Sequence, residues 1–345
     1  MGINTIYQNA IINNIAHNIR KSKLLNIAIV FLSMVIIAIL TSKNFLTRFN
    51  IQSVVRDLAF VSIIAIGQSC LLLLGELDLS VGKMASLSGV LSGLMMVNLG
   101  VPPALTFVCC LLFGVCFGII NGTIITRLRL NAMVVTIGMQ GVYGGINLVI
   151  TKGKAIVNIP QSIQFLGKGN LLEIPVPFVI TIIILLIVLF LTQRTTFGRY
   201  IYAIGNNREA VEILGIDVDI VRTLVYGIVG MLSALTGILM VARLGASQPS
   251  IGDSWVMNSI AASVIGGVAL TGGIGSPAGA VLGAAIISII QNLIVLYGVN
   301  VYWQTAVSGV VVVLAISFDS IGTIIGEAKK RHKALAKRKT SYRHL

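Results

Sequence analysis

The sequence predicts an all-α, polytopic integral membrane helix bundle of about ten transmembrane helices in two inverted five-helix halves, and three observations lead there. Composition is the first: apolar residues make up 56% of the 345 and charged residues 10%, where a soluble domain is about 25% charged. Length is the second. The apolar runs approach 20 residues, which at about 1.5 Å per residue cross a hydrocarbon core about 30 Å thick. The third is periodicity: the runs are continuously apolar and do not alternate with period two, so helices rather than a barrel satisfy their backbone in lipid.

In order, the runs are 24–41, 56–74, 84–100, 102–126, 131–150, 174–192, 223–243, 255–271, 278–297 and 301–318. The first follows Arg20, Lys21 and Lys23, is too long for a signal core and lacks an Ala-x-Ala site, so it is expected to stay as a helix. From Ser254 to Phe318 there is no Asp, Glu, Lys or Arg, and the stretch is divided by Gly-Gly-Ile-Gly-Ser-Pro (272–277) and Gly-Val-Asn (298–300), its turn signals. The chain divides into a cytoplasmic N-terminal segment (1–23), a transmembrane domain (24–318) with a long cytoplasmic loop at 193–222, and a basic cytoplasmic tail (319–345). With both termini cytoplasmic, 18 of the 25 Lys and Arg fall inside, as the positive-inside rule requires; the loop 75–83 with Lys83 is counted among them. The net charge is +14, and eight basic residues sit in the tail after Phe318, directly behind the last span, which suits anionic membrane lipid better than nucleic acid.

Several function classes recede. Histidines occur at 17, 332 and 344, in the tails, so neither a His-based catalytic centre nor a metal site is expected in the membrane. Cys70, Cys109, Cys110 and Cys116 lie in apolar runs as small hydrophobes, with no disulfide or zinc spacing. Gly75 to Met84 resembles a phosphate loop faintly, but six residues separate the glycines and Met84 stands where Ser or Thr would hold magnesium; Gly273 to Gly279 is out of register for a dinucleotide fingerprint. The chain therefore reads as a transport subunit without cofactor or ATPase site of its own. All eleven acidic residues fall in loops, at helix ends or in the tail, which argues against a proton relay at mid-bilayer.

Neutral polar groups do fall within the runs: Gln68, Asn121, Thr136, Gln140, Asn147, Gln291 and Asn292. Amides and hydroxyls suit an uncharged, hydroxyl-rich cargo, because they donate and accept without burying a charge; they equally suit bridges between helices. Of these, Gln68, Asn121, Thr136, Gln140 and Asn147 form the candidate pathway. Small-xxx-small pairs at Gly89/Gly93, Gly114/Gly118, Gly118/Gly122, Gly141/Gly145 and Gly279/Gly283 predict close helix packing. Two halves of five spans place the third span of each half beside the pathway. Runs 84–100 and 255–271 are both entered through glycine-containing segments, as interrupted helices are. Asp78 or Ser80 is expected to cap the first of them.

Four motifs in order then carry a family resemblance over residues 50–320. Gly75-Glu-Leu-Asp-Leu-Ser-Val-Gly82, Asn131-Ala-Met-Val-Val-Thr-Ile-Gly138, Thr196 to Ala210, and Gly266-Gly-Val-Ala-Leu-Thr-Gly-Gly-Ile-Gly-Ser276 are similar to signatures of the permease subunit of bacterial ABC importers for monosaccharides, of ribose, xylose and arabinose type, within the group that includes branched-chain amino-acid permeases. The resemblance gives Gly75, Asp78, Ser80, Gly82, Gly266, Gly267, Gly272, Gly273 and Gly275 motif or structural roles. It also makes Gly198, Arg199, Gly205, Asn206, Glu209, Ala210 and Gly215 the contact with an ATPase. It implies a bacterial inner-membrane protein that works with a second permease in a homo- or heterodimer, a cytoplasmic ATP-binding subunit and an extracytoplasmic sugar-binding protein. On its own residues, 196–217 reads as an amphipathic element: Arg199, Arg208, Glu209, Glu212 and Asp217 surround Tyr200, Ile201, Ile204, Val211, Ile213 and Leu214, an apolar face suited to a partner groove. Where relatives carry Tyr-Glu-Leu-Asp, this chain has Trp255-Val-Met-Asn258; Thr-Ser is replaced by Val268-Ala269, and Pro-Phe by Ala132-Met133. These departures leave the cargo open between a ribose-like sugar and a nucleoside or furanosyl signalling molecule. An ion-coupled secondary transporter stays as a further reading.

Overall fold

The computed structural model describes residues 23–314 and 317; the N-terminal segment before Lys23 and the basic tail lie outside the described residues. Helices dominate: α1 (Lys23–Thr41), α2 (Arg48–Leu73), α3 (Val81–Val97), α4 (Pro103–Arg127), α5 (Ala132–Thr151), α6 (Gln161–Lys168), α7 (Val176–Arg194), α8 (Thr196–Asn206), α9 (Arg208–Ile213), α10 (Val218–Leu244), α11 (Trp255–Ile265), α12 (Pro277–Leu296) and α13 (Trp303–Leu314). A two-residue antiparallel hairpin, β1 (Asn170–Leu171) with β2 (Ile174–Pro175), pairs Asn170 with Pro175.

Seven of the described helices are long and apolar enough to cross a membrane, and α3, α11 and α13 are shorter apolar helices. Each of the ten apolar runs corresponds to one of these helices. The boundaries differ where polar residues continue a helix: α2 begins at Arg48, because Thr47 accepts from the Asn50 N–H as its cap, eight residues before the apolar run. α11 is 11 residues, far short of the 17 expected, because Gly266 and Gly267 end it.

Backbone contact through glycine holds the centre together. α10 packs on α4 and α3, and α2 packs on α12 and α11, while α2 and α10 also touch. A Cβ on Gly118 would strike the Tyr226 carbonyl, and one on Gly230 the Gly114 carbonyl. Gly89 and Gly93 approach α10 and Ser247, and Gly279 and Gly283 approach α11, so four of the five small-residue pairs lie at tight seams. The fifth does not: Gly141 and Gly145 of α5 have nothing within 4 Å of a built Cβ.

Candidate functional site

Two non-helical segments enter the bundle from opposite ends. Residues 74–80 leave α2 near α8 and lead into α3. Residues 245–254 leave α10 near α6 and lead into α11. Both helices start at a serine in nearly the same conformation without a side-chain cap, Ser80 (φ −90°, ψ −7°) and Ser254 (φ −83°, ψ −14°). The segments meet where Gly82 faces the Gly252 carbonyl so closely that a Cβ has no room, and Gly252 takes φ +87°. Phe60, halfway along α2, stacks parallel to Trp255 with centroids 6.2 Å apart, which puts the start of α11 in the interior of the bundle.

Non-helical backbone survives at such depth only if its polar groups are satisfied, and side chains of the first half do this. Asp78 is fully buried and accepts from the Ser80 N–H (2.7 Å), the Ser80 hydroxyl (2.6 Å) and Asn121 Nδ2 (3.2 Å). Asn121 Nδ2 also donates to Ser80 Oγ (2.8 Å), and Tyr143 donates to Asn121 Oδ1 (2.8 Å). Asp78 thus acts on the N-cap residue itself, not on the N–H groups deeper in α3. For the second segment, Ser86 donates to the Pro249 carbonyl (2.8 Å), Asn147 Nδ2 donates to both Ser86 Oγ (2.6 Å) and that carbonyl (3.2 Å), and Ser247 donates to the Gly89 carbonyl (3.0 Å).

Lys83 is the main surprise. It lies in the first turn of α3 and pairs with Asp253 at 2.6 Å. The sequence puts Lys83 in a cytoplasmic loop and Asp253 by the opposite face, whereas the structure brings the two together beside the Gly82–Gly252 meeting point, with Lys83 half-buried and Asp253 exposed. The pair borders the open cleft that Gln140 also lines, so it is an accessible ion pair at a helix start and a loop. Tyr143 and Ser86 likewise carry no motif. The signal that finds Lys83, Ser86 and Asp253 is a lone polar or charged residue within a few positions of an interrupted helix start; Tyr143, in the middle of α5, carries no such signal.

The candidate pathway residues do not converge on one cavity. Asn121 and Asn147 are engaged as above, Thr136 is buried and donates back to the Ala132 carbonyl (2.9 Å), and Gln68 is buried with neither amide atom partnered among the described residues. Gln140 lines a cleft with Lys83, Gly141, Gly145, Pro249 and Asp253.

The glycine motifs do converge. The Gly273 N–H donates to the Leu73 carbonyl (2.9 Å), Gly205 rests on that carbonyl and on Gly273, and Gly75 lies against Thr271 and Gly272. Gly75, Gly272, Gly273 and Gly275 all have positive φ, from +70° to +132°, which L side chains rarely adopt. Tyr202 donates to the Gly275 carbonyl (2.9 Å); burial, with a contribution from Cys70, pushes its phenol above the ordinary value, so the hydroxyl keeps its proton as a donor. Gly266 packs on Gly279, and Gly267 takes φ +78° to end α11. Three motifs far apart in sequence therefore form one junction beneath α8.

Around that junction, Gly198 is pressed against the Thr192 backbone, Asn206 donates to the Tyr202 carbonyl (2.8 Å) and Gly215 turns the chain with φ +78°. Asn207 caps α9 by accepting from the Ala210 N–H (3.0 Å). Arg199 and Glu209 are exposed. The apolar face differs from the one the sequence suggests: Ile201, Ile204 and Val211 are buried in the chain's own core, because α8 lies flat on the junction, whereas Ile213 (86% exposed) and Leu214 (76%) point outward.

Comparison with known proteins adds the decisive observation. Residues 50–316 match the family model described as branched-chain amino acid transport system / permease component. The chain belongs to this permease family. It is 36% identical over 291 residues to the ribose import permease protein of Bacillus subtilis, covering 84% of this chain and 90% of that protein. The ribose import permease protein of Escherichia coli K12 is 33% identical over 293 residues, covering 83% and 91%, and the fructose import permease protein of Rhizobium meliloti is 30% identical over 299 residues, covering 84% and 83%. No solved structure matches. Membership of the family, with seven helices of spanning length, makes the chain a multi-pass membrane permease.

Proposed function

We propose that this permease is the pathway subunit of an ATP-driven importer of the bacterial inner membrane, carrying a ribose-like pentose or related neutral sugar. What supports the reading is the meeting of two interrupted helices at Gly82 and Gly252, in a chain whose relatives are named as ribose and fructose import permeases. Interrupted helices that start in the interior are a recurring way to build a transport site between inverted halves. The reciprocal packing of α10 on α3 and α4 and of α2 on α11 and α12 fits ten crossings in two inverted halves, with both termini cytoplasmic.

The Lys83–Asp253 pair would latch the two starts together at the cleft that Gln140 and the open glycine face of α5 border. That face would meet the second permease, so that the pathway runs between two copies. Asn121 and Asn147 would act on cargo through the segments they position. Exposed Ile213 and Leu214, ringed by Arg208, Glu209 and Glu212, would seat in a cytoplasmic ATP-binding subunit. From there α8 passes movement to the Gly205–Gly273 junction. An external binding protein would deliver the sugar.

The test is uptake of radiolabelled D-ribose into proteoliposomes holding the permease, its operon's ATPase and the binding protein. Uptake that requires ATP hydrolysis is expected; uptake driven by an ion gradient without ATP would favour a secondary transporter. A second reading has its own support, since the Autoinducer 2 import system permease protein of Photorhabdus luminescens is 34% identical over 258 residues. A binding protein that ignores sugars and holds a small signalling molecule would select it.

A further inference from the structure

A cavity of about 560 Å³ lies between α2, α11 and α12, next to the Gly82–Gly252 meeting point through Ser254 and Trp255, and its walls mix polar and apolar side chains. Its volume is within the ~300–1,000 Å³ of small-molecule sites. α2 contributes Asn50 and Asp57 at helical spacing, α12 contributes Ser288, Gln291 and Asn292 likewise, and α11 closes it with Trp255 and Asn258. Such stripes are unexpected on apolar helices unless something polar is held between them.

The rim is organised and the floor is not satisfied. Asn50 and Asn292 donate to each other's carbonyl oxygens (3.1 and 2.7 Å), which fixes both amides. Arg243 pairs with Asp57 at 2.5 Å and lies 5.3 Å over the Phe60 ring, so the carboxylate is neutralised and the Phe60–Trp255 stack is held rigid. Yet Asn258 Oδ1 and Ser288 Oγ, on residues 3% exposed, have no hydrogen-bond partner among the described residues. Buried polar groups without partners are costly, and both border the cavity, so their partner comes from within it.

The geometry points to a binding site for a neutral polyhydroxylated molecule of monosaccharide size, held within one permease by Asn258, Ser288 and the Trp255 wall. An amide oxygen and a hydroxyl match sugar hydroxyls as acceptor and as either partner. A rigid aromatic wall matches the apolar face of a sugar ring, and the absence of net charge selects against ionic ligands. The cavity opens near the start of α2, at the end opposite α8. On the importer reading, on which the sugar assignment rests, this is the side of delivery, so the site would receive cargo before it reaches the meeting point of the interrupted helices.

The chain has two tryptophans, and Trp303 is exposed, so Trp303→Phe leaves Trp255 as the reporter. Purified full-length permease in nanodiscs is titrated with D-ribose, D-fructose and glycerol 3-phosphate while Trp255 emission is followed. A saturable change with a sugar is expected, weakened about tenfold by Asn258→Leu and by Ser288→Ala. Ser288→Ala removes a single atom and carries the test if Asn258→Leu fails to insert. Silence with both sugars, an unchanged response in Ser288→Ala, or a response to glycerol 3-phosphate alone, which would mark a lipid headgroup site, each overturns the proposal. ATP-driven uptake by the wild-type importer is scored separately: uptake with a silent Trp255 removes this site alone, whereas a Trp255 response without uptake removes the importer reading.

Discussion

Asn121 and Asn258 are both amides sealed in an apolar bundle beside an interrupted helix, yet they differ in what their oxygens meet. Asn121 Oδ1 accepts from Tyr143, and its nitrogen serves Asp78 and Ser80, a closed set that positions the start of α3. Asn258 Oδ1 has no partner among the described residues and borders a cavity. The same residue type at the same kind of place therefore does opposite work, holding backbone in the first half and presenting a free group in the second. Neutral polar residues in a membrane helix cannot be assigned to structure or to cargo by type; their partners decide.

Breaking the closed set should have the largest effect. Asn121→Leu takes from Tyr143 one of its two acceptors, leaving the Phe117 carbonyl (3.1 Å), and takes one donor each from buried Asp78 and from Ser80 Oγ, together about 1–3 kcal/mol. Folded protein recovered from the membrane should fall severalfold by fluorescence-detected gel filtration, and wild-type recovery would mean that the network does not hold α3. Asp78→Asn tests the same set from its centre. It keeps the size but loses the charge that three donors share, so recovery should again fall.

An intermediate effect is expected at the latch. Lys83→Met leaves the exposed Asp253 without its partner, which should cost about 0–1 kcal/mol, and double replacement with Asp253→Leu should restore part of the loss. Equal thermal stability of the single and double variants would deny the pairing.

The open cavity predicts the reverse of the closed set. Asn258→Leu should leave recovery near wild type, since no protein partner loses a bond, while the half-saturating concentration for transport rises. Smallest of all is Gly141→Ala on the open face of α5. With nothing near the added methyl, the isolated permease should gain up to ~1 kcal/mol from helix propensity, whereas Gly118→Ala at the α4–α10 seam should destabilise it. A loss with Gly141→Ala in the isolated protein would place that face in a contact within the chain.

Much of this was legible in the sequence. Ten apolar runs announce the helices because length and hydropathy are local properties, and the glycine motifs announce the junction because positive φ and backbone contact admit little else. The segments before α3 and α11 could be flagged from their glycines. Their depth could not, because it depends on Ser86, Asn147 and Pro249 meeting across three elements. The meeting of Lys83 with Asp253 escaped for the same reason. The inward turn of Ile201 and Ile204 escaped as well, since an amphipathic helix shows which face is apolar but not which surface covers it. Asn50, Asp57 and Ser288 belong to no motif, and their grouping emerges only when α2 and α12 are set side by side.

The contrast between the two amides is tested most directly by measuring Asn121→Leu and Asn258→Leu side by side, for thermal midpoint in nanodiscs and for half-saturation of D-ribose uptake in the reconstituted importer. Asn121→Leu should lower the midpoint and leave half-saturation unchanged in the protein that folds, while Asn258→Leu should keep the midpoint and raise half-saturation about tenfold. The opposite pattern, with Asn258 setting stability and Asn121 setting half-saturation, would contradict the account.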